Sequence, residues 1–414
     1  MSCSPRDNDR MPIFHINSEK IRPELRGYVL VDHRERPRFW PTLYTEVLCG
    51  ADSQSTRRKK LGAIEGLYAA CETQTGDDRL DKIITSLDLD ALEEILLGFL
   101  AQLRNRARHD NVDMSPVWTA VTSFVFGLIE RAGLEEGSLA TQMRARLSRL
   151  ESLYSQVRPN PERVSAPLRA LPASVVTELY EIFNPVSPRN PFRMQEHRWR
   201  NLLLFLILLR LGLRRGEAGL LRHDASFGEE FDPEIGGNVH WLNVDESDDN
   251  DPRYEAASLK TLHSRRQVPL PSELVDLKQR VASNRGRTNY PFLFMSQKGG
   301  PLSLRSISDI FEIASAALSD GAKETLKRQG LTGVSPHDCR HTSVVVRLRR
   351  WQDQGVPLDD ALIKARNFFG WKHDSNMPTL YGRAYFEPSL SEVWNEQFDD
   401  YLDALKRTAP ERVR

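Results

Sequence analysis

Eight consecutive apolar residues, Leu202 to Leu209, constrain the fold of this 414-residue chain more than any other segment. The run is too short to cross a bilayer, which takes about 20 apolar residues, and Arg210 closes it. A helix that is apolar on every side is buried in a protein core. The sequence therefore predicts a buried helix here, in the C-terminal half of the chain.

A proline-rich stretch between Val157 and Pro172 divides the chain, because proline cannot continue a helix. A length of 414 residues also exceeds that of most single domains. We therefore predict three parts: an N-terminal arm or cap over residues 1–50, a helical domain over 51–165, and a second domain over 168–414.

Apolar residues recur with helical spacing in the 51–165 part. One stripe follows a capping-box-like start at Asp90 and Glu93 and contains Leu92, Ile95, Leu96, Phe99, Leu100 and Leu103. A second stripe follows Pro116 and contains Val117, Val121, Phe124, Val125 and Leu128. With a basic amphipathic helix from Arg144 to Leu153, these stripes predict a small helical bundle.

The second domain is predicted to be mainly helical with a small antiparallel β-sheet. A helix from Ala173 to Phe183 precedes the apolar run, and three strand-like segments follow it. These segments are Val239 to Val244, Ala256 to Lys260 and Arg266 to Leu270, and the last two are predicted to pair as a hairpin. The acidic stretch from Asp245 to Glu255 is interpreted as a solvated loop.

Charge and cysteine content limit the function classes. The formal net charge is zero, so an argument for nucleic-acid binding depends on local clusters. Clusters do occur: Arg34, Arg36 and Arg38; Arg57 to Lys60; Arg104, Arg106 and Arg108; and Arg347, Arg349 and Arg350. The four cysteines are far apart without a CxxC pair, and the polar start lacks a signal peptide's apolar core, so we expect a soluble cytoplasmic protein.

Two arginine segments suggest anion binding. In the segment from Gly212 to Glu217, Arg214 lies where one helix ends and another begins, and the backbone N–H groups of a helix start favour an anion. A surface arginine beside a turn glycine is the alternative. In the segment from Ser335 to His341, two histidines flank Arg340, and such a pair of arginines with a histidine suits phosphoryl transfer.

Together with Lys260 on the predicted hairpin, Trp371 after Gly370, and Tyr381, these segments resemble the tyrosine recombinase (phage integrase) family. The resemblance covers about residues 168 to 390, and its specific part is GLRRGE combined with HDCRH. It implies a helical core-binding domain followed by a mixed α/β catalytic domain, as in a two-domain integrase.

The resemblance also implies a role for each matching residue. Arg214 and Arg340 would bind the scissile phosphate and Tyr381 would attack it, while Lys260 protonates the leaving 5′ oxygen. The remaining roles are that Glu217 braces Arg214, His337 assists proton transfer, His341 supports the site, and Trp371 donates its indole N–H or packs against the phosphate. A covalent phosphotyrosine conserves the bond energy, so neither a cofactor nor a metal is expected.

One spacing departs from the family pattern. Tyr381 lies ten positions after Trp371, one more than is usual, so Tyr385 is a second candidate nucleophile. His373, or Lys372 by strict count, is likewise an alternative to Trp371. The expected partners are double-stranded DNA with specific recombination sites and further copies of the chain, as a dimer on each site and a tetramer in synapsis.

Three other functions are alternatives to recombination, and the segment after Tyr385 predicts one further feature. The competitors are a type IB topoisomerase-like enzyme, a catalytically inactive DNA-binding relative, and a zinc site at His337, Cys339, His341 and His373. The expected location is cytoplasmic and nucleoid-associated. An apolar stripe after Tyr385 is a candidate docking helix for a neighbouring copy or packs on its own domain, and it contains Leu390, Val393, Trp394, Phe398, Tyr401 and Leu402.

Overall fold

The computed structural model divides the chain into two compact units, Met1–Ser165 and Ala166–Arg414. It describes residues 13–16, 20, 22, 26–50, 52–110, 112–132, 145, 148–149, 152, 170–246, 251–253, 257–259, 262–286, 288–372, 374–375 and 377–378. Among these residues no helix combines the length and the apolar character needed to span a membrane.

The first unit is a helical bundle with a β-hairpin. Its helices are α1 (Phe39–Leu43), α2 (Gln54–Thr75), α3 (Leu80–Ser86), α4 (Leu89–Asp110) and α5 (Ser115–Ala132), and a π-helical turn, Tyr44–Leu48, follows α1. Strands β1 (Ile13–Ile16) and β2 (Gly27–Leu30) pair antiparallel. The predicted stripe on α4 is confirmed, since all six of its residues are buried.

Two details of this unit differ from the sequence prediction. Helix α4 begins at Leu89, and Asp88 Oδ1 accepts a hydrogen bond from Ala91 N at 3.1 Å, so Asp88 caps the helix in place of Asp90. The described part of residues 1–50 is regular, with Tyr28, Leu30 and Tyr44 in the core of the bundle. Its elements are too short to give a periodic signal. The predicted helix from Arg144 to Leu153 lies largely outside the described residues.

The second unit is built around the apolar run. Its helices are α6 (Ala173–Phe183), α7 (Gln195–Arg210), α8 (Arg215–Leu220), α9 (Ser272–Ser283), α10 (Leu304–Ala316), α11 (Asp320–Arg328), α12 (Pro336–Asp353) and α13 (Leu358–Phe369). Every residue from 202 to 209 is at most 1% exposed, and α7 packs against α9 and α12. The predicted buried helix is therefore confirmed.

The small sheet of this unit has a different pairing from the one predicted. Its strands β3 (Phe227–Asp232), β4 (Gly237–Val244) and β5 (Arg266–Pro269) are antiparallel in the order β3-β4-β5. The predicted hairpin of Ala256–Lys260 with Arg266–Leu270 was wrong, because β5 pairs with β4 and residues 257–259 form no strand. Strand β3 was missed because its acidic, exposed residues hide any alternation.

The acidic stretch after β4 is only partly a solvated loop. The Asp251 carboxylate accepts hydrogen bonds from Arg253 N, Arg253 Nε and Ala257 N. Arg253 is itself 6% exposed and lies over the Phe292 ring at 4.4 Å. The described part of this segment is therefore pinned to the domain, whereas Asp245 at its start is exposed and pairs with Arg265.

Candidate active site

A sharp corner between α7 and α8 places Arg214. Gly212 has a φ of +64°, and a Cβ there would lie 2.3 Å from Cε1 of Phe369, so the corner requires glycine for both conformation and space. Helix α8 then begins after Arg214, and Glu217 Oε2 accepts from Arg214 N at 2.9 Å. This return hydrogen bond fixes the helix start and the Arg214 backbone together.

The Glu217 carboxylate is the centre of the site. It is buried and contacts three guanidinium groups: Arg214 Nη1 at 2.6 Å, Arg266 Nη2 at 2.9 Å and Arg340 Nη1 at 3.7 Å. Burial by itself would raise the pKa of Glu217, but Arg266 and Arg340 outweigh burial and lower this pKa to about 2. The carboxylate is therefore ionised, and among the described residues three guanidinium groups surround this one negative charge.

Arg340 is nearly inaccessible, with 3% exposure. Its Nη1 donates to Gly212 O and its Nη2 donates to Phe369 O, which ties the corner before α8 to the end of α13. Burial and the nearby Arg214 lower the pKa of Arg340 well below its ordinary value. These two bonds, together with the ion pair to Glu217, hold the guanidinium in a fixed orientation.

Arg214 is the accessible member of the cluster. Its side chain is 21% exposed, whereas those of Arg266 and Arg340 are 6% and 3% exposed. Besides Glu217, its Nη1 contacts Ser264 Oγ at 3.2 Å, so the short 3₁₀ turn Leu262–Ser264 lies against it. An anion that approaches from solvent therefore meets Arg214 before the other two arginines.

Arg266 belongs to the site although no role was predicted for it from the sequence. It donates to Glu217 Oε2, to Phe368 O at 2.7 Å and to Ser264 O at 2.8 Å. One guanidinium thus joins the α8 start, the α13 end and the segment that follows Lys260. One feature of the sequence could have indicated that Arg266 points inward. It lies two residues before the buried Val268 in β5, and residues two apart are on the same face of a strand.

The two histidines of the HDCRH segment lie on the first turns of α12. Ser335 caps this helix through a reciprocal pair of bonds with Asp338, which orients its start. The His337 and His341 rings meet edge to face with centroids 4.1 Å apart, and His337 is exposed. Positions four apart share a helix face, so both rings lie on one side of α12.

Cys339 does not share that face. It is fully buried in the core of the unit, and burial raises the pKa of its thiol, which disfavours the thiolate that a zinc ion binds. Within the described part of the chain, no group of three or more His, Cys, Asp or Glu residues could hold a metal ion. The fourth ligand of the zinc alternative, His373, lies outside the described residues.

Trp371 is connected to the arginine cluster through the ring of Phe369. Trp371 is 8% exposed and stacks on Phe369, with the two ring centroids 5.4 Å apart. The guanidinium carbon of Arg340 lies 5.3 Å from the centroid of the same Phe369 ring. Gly370, with a φ of +61°, ends α13 and turns the chain toward Trp371. The structure therefore brings Arg214, Glu217 and Arg340 together, and Phe369 lies between Arg340 and Trp371.

The two remaining catalytic candidates, Lys260 and Tyr381, lie outside the described residues. The same holds for Tyr385 and for the whole candidate docking helix after it. Lys372, the alternative by strict count, is exposed next to Trp371. The roles of all these residues remain predictions.

Several residues of the basic clusters identified in the sequence of the first unit form ion pairs within that unit. Arg38 is buried against Asp78 and Asp81. Arg57 pairs with Glu46 and donates to Gly50 O, and Lys60 pairs with Asp52. These side chains stabilise the bundle, so the basic clusters of the sequence overstate the cationic surface of this unit.

No family model matches the sequence. No curated protein matches it either. Among solved structures, the chain resembles the Tn1549 transposon integrase in complex with transposon right end DNA (16% identity, 82% of this chain and 94% of that one, TM-score 0.39). It also resembles the XerH site-specific recombinase bound to difH substrate (15%, 86% and 95%, TM-score 0.40) and the integrase from mycobacterium phage Brujita (14%, 86% and 96%, TM-score 0.27).

Proposed function

We propose that the chain is a tyrosine recombinase, a site-specific enzyme that cleaves and rejoins DNA strands through a 3′-phosphotyrosine. The observation that carries this proposal is the cluster of Arg214, Arg266 and Arg340 around the single carboxylate of Glu217. Such an excess of fixed positive charge at a partly exposed arginine suits an anionic phosphodiester.

In the proposed reaction the non-bridging phosphate oxygens accept hydrogen bonds from Arg214 and Arg340. The Tyr381 oxygen attacks phosphorus, and the bond to the 5′ oxygen of the next nucleotide breaks. A phenol has an ordinary pKa of about 10, so the arginines and His337 assist the loss of its proton. Lys260 protonates the leaving 5′ oxygen, and the reverse sequence of steps rejoins a strand.

Each structural unit has a proposed role. The helical unit of residues 1–165 would hold the flank of the recombination site, and the unit of residues 166–414 would carry out the transesterification. Double-stranded DNA is the proposed partner, with two copies of the chain on each site and four in synapsis. Positioning falls to Arg266 and Trp371, which hold the Glu217 network and the end of α13 in place.

The role of Lys260 as general acid can be tested by chemical rescue. We expect Lys260→Ala to slow cleavage of an ordinary strand strongly, because the 5′ oxygen then leaves without a proton. A strand with a 5′-bridging phosphorothiolate should be cleaved by this variant at nearly the wild-type rate, since a thiolate leaves without protonation. The cleavage rates of both strands in the presence of EDTA measure the effect.

The products separate this function from its competitors. Relaxation of a supercoiled plasmid that contains no pair of recombination sites would assign the chain to a type IB topoisomerase-like activity. Sequence-specific DNA binding without covalent attachment, with both ordinary and phosphorothiolate strands, would assign it to an inactive relative.

The rescue experiment also has an outcome that contradicts the proposed role of Lys260. If Lys260→Ala slowed cleavage of both strands equally, Lys260 would not be the general acid.

A further inference from the structure

A second cationic cavity lies in the 166–414 unit, separate from the Glu217 cluster. It has a volume of about 560 Å³ and lies between the C-terminal end of α7, strands β4 and β5, the start of α9 and the C-terminal half of α12. Four arginines line it: Arg210, Arg347, Arg349 and Arg350. Among the described residues of its lining, Asp353 is the one carboxylate, and His240 adds a further titratable group.

Arg347 is held rigidly in this cavity. Its guanidinium carbon lies 3.7 Å from the centroid of the Phe368 ring, and its Nη2 donates to Arg210 O at 3.4 Å. Burial, together with the nearby Arg350 and Arg210, lowers the pKa of Arg347 to about 10. The surroundings of this cation are thus aromatic, carbonyl and cationic, and an anion in the cavity would offset the repulsion among its arginines.

Neutral groups complete the lining. Pro271 and Ser272, at the start of the 12-residue helix α9, also line the cavity, so the positive end of this helix lies at its wall. Ser343 also lines the cavity, but its single O–H donates to Arg210 O at 3.3 Å, so it fixes that carbonyl and is not a free donor. Several guanidinium forks beside a helix start favour a phosphate group over a single carboxylate.

We propose that this arginine-lined cavity is a second phosphate-binding site. The site is independent of the proposed recombinase function and takes a phosphate-bearing anion, either a free polyphosphate compound or the backbone of a nucleic acid. The cavity and the Glu217 cluster are connected through helix α12 and through the chain between Arg210 and Gly212. Ser343 and Arg347 on α12 hold Arg210 O, while Arg340 on the same helix holds Gly212 O two residues further on. An anion bound in the cavity would therefore affect the position of the turn at Gly212, which places Arg214.

Titration calorimetry of the full-length chain with inorganic tripolyphosphate tests the proposal. The measurement uses an Arg214→Gln background, so that anion binding at the Glu217 cluster is weakened. We expect binding to persist in this background and to weaken about tenfold with Arg350→Glu, because Arg350 is exposed and its reversal changes the cavity without disturbing the core. The matched control is Arg328→Glu, an exposed arginine on α11 outside the cavity.

A second variant guards against an effect on folding. Arg347→Lys keeps the positive charge but loses the planar fork, so it should also weaken tripolyphosphate binding while thermal unfolding stays cooperative. Absence of binding in the Arg214→Gln background, or equal affinity in the Arg350→Glu and Arg328→Glu variants, would overturn the proposal.

A short duplex of unrelated sequence identifies the source of the phosphate. If the cavity takes a DNA backbone phosphate, Arg350→Glu weakens duplex binding, reduces its salt slope by about 1, and tripolyphosphate competes with the duplex. If duplex binding and its salt slope are unchanged while tripolyphosphate affinity falls, the ligand is a free phosphate compound. Both outcomes support a phosphate site and differ only in its ligand.

Discussion

Each of the two units contains an arginine–carboxylate cluster around one buried charge, Arg38 in the first and Glu217 in the second, and the two clusters have opposite ratios of arginine to carboxylate. In the first unit, Arg38 is 2% exposed at its side chain and meets two carboxylates, Asp78 at 2.6 Å and Asp81 at 3.1 Å, while lying over the Tyr68 ring. In the second unit, Glu217 meets three guanidinium groups. Among the described residues, two carboxylates contact the one arginine of the first cluster, whereas three guanidinium groups contact the one carboxylate of the second and leave it with a net positive charge.

This difference separates a structural cluster from a candidate binding site. Arg38 joins the start of α1 to α3 through Asp78 and Asp81, and Tyr68 on α2 donates its hydroxyl to Asp81. Every charge there faces a partner within the bundle. Around Glu217 the excess charge lies beside Arg214, whose side chain reaches solvent. Burial of a charge is therefore weak evidence for function, and an unbalanced buried charge is stronger evidence.

The largest expected effect is on stability. Glu217→Gln should lower the free energy of unfolding of the second unit by about 3 to 5 kcal/mol, because it leaves three buried or half-buried guanidinium groups without their shared carboxylate. The matched change in the first unit, Asp78→Asn, should cost about 1 kcal/mol, because Asp78 is 27% exposed at its side chain and Asp81 remains.

Hydrogen exchange followed by mass spectrometry of the full chain measures both changes and assigns each to its unit. For Glu217→Gln the slowest-exchanging amides throughout the second unit should exchange faster, while those of the first unit keep their rates. Equal losses for the two variants would contradict the stated difference between the clusters.

The stability of the second unit should depend on pH through Glu217. The pKa of Glu217 is lowered from 4.5 to about 2, so its contribution is complete above about pH 4.5 and is lost as the pH falls toward 2. The loss is on the order of 3 kcal/mol. Chemical denaturation at a series of pH values, with wild type compared to Glu217→Gln, measures it. The stability difference between the two proteins should shrink as the pH falls, and a constant difference would show that Glu217 is not ionised in the native state.

A smaller effect is expected from Arg266→Lys, which keeps the charge but loses the three-point attachment. Lysine cannot bond Glu217, Phe368 O and Ser264 O together, so strand cleavage should slow about tenfold while DNA affinity stays nearly unchanged. The pH–rate profile should keep its shape, since Arg266 positions other groups and transfers no proton. Arg265→Lys is the control, because Arg265 is half exposed and pairs with Asp245 and Glu246.

The sequence predicted the large helices of the fold better than the sheet. The run from Leu202 to Leu209 and the stripe on α4 were recognisable because long apolar patterns admit one interpretation. Strand β3 and the β4–β5 pairing were not predictable, because short exposed strands carry little periodicity and their partners are chosen by tertiary packing.

The residues of the candidate site that belong to short sequence motifs were predictable. Those whose role depends on contacts with residues distant in the chain were not. Arg214, Glu217 and Arg340 follow from two short motifs. Arg266 does not, because its importance depends on reaching Glu217 and Phe368 O, which are 49 and 102 positions away in the chain. The accessibility difference between Arg214 and Arg340 likewise depends on backbone carbonyls that no side-chain pattern reveals.

The most direct test of the central claim is covalent trapping of DNA. Nicked suicide duplexes prepared from the genome that encodes the chain should yield a detergent-resistant protein–DNA adduct with wild type. Tyr381→Phe should abolish this adduct while leaving DNA binding nearly intact, because it removes one oxygen and keeps the ring. Tyr385→Phe should still form it. An adduct with Tyr381→Phe and none with Tyr385→Phe would make Tyr385 the nucleophile, and no adduct with wild type on any duplex would contradict the recombinase assignment.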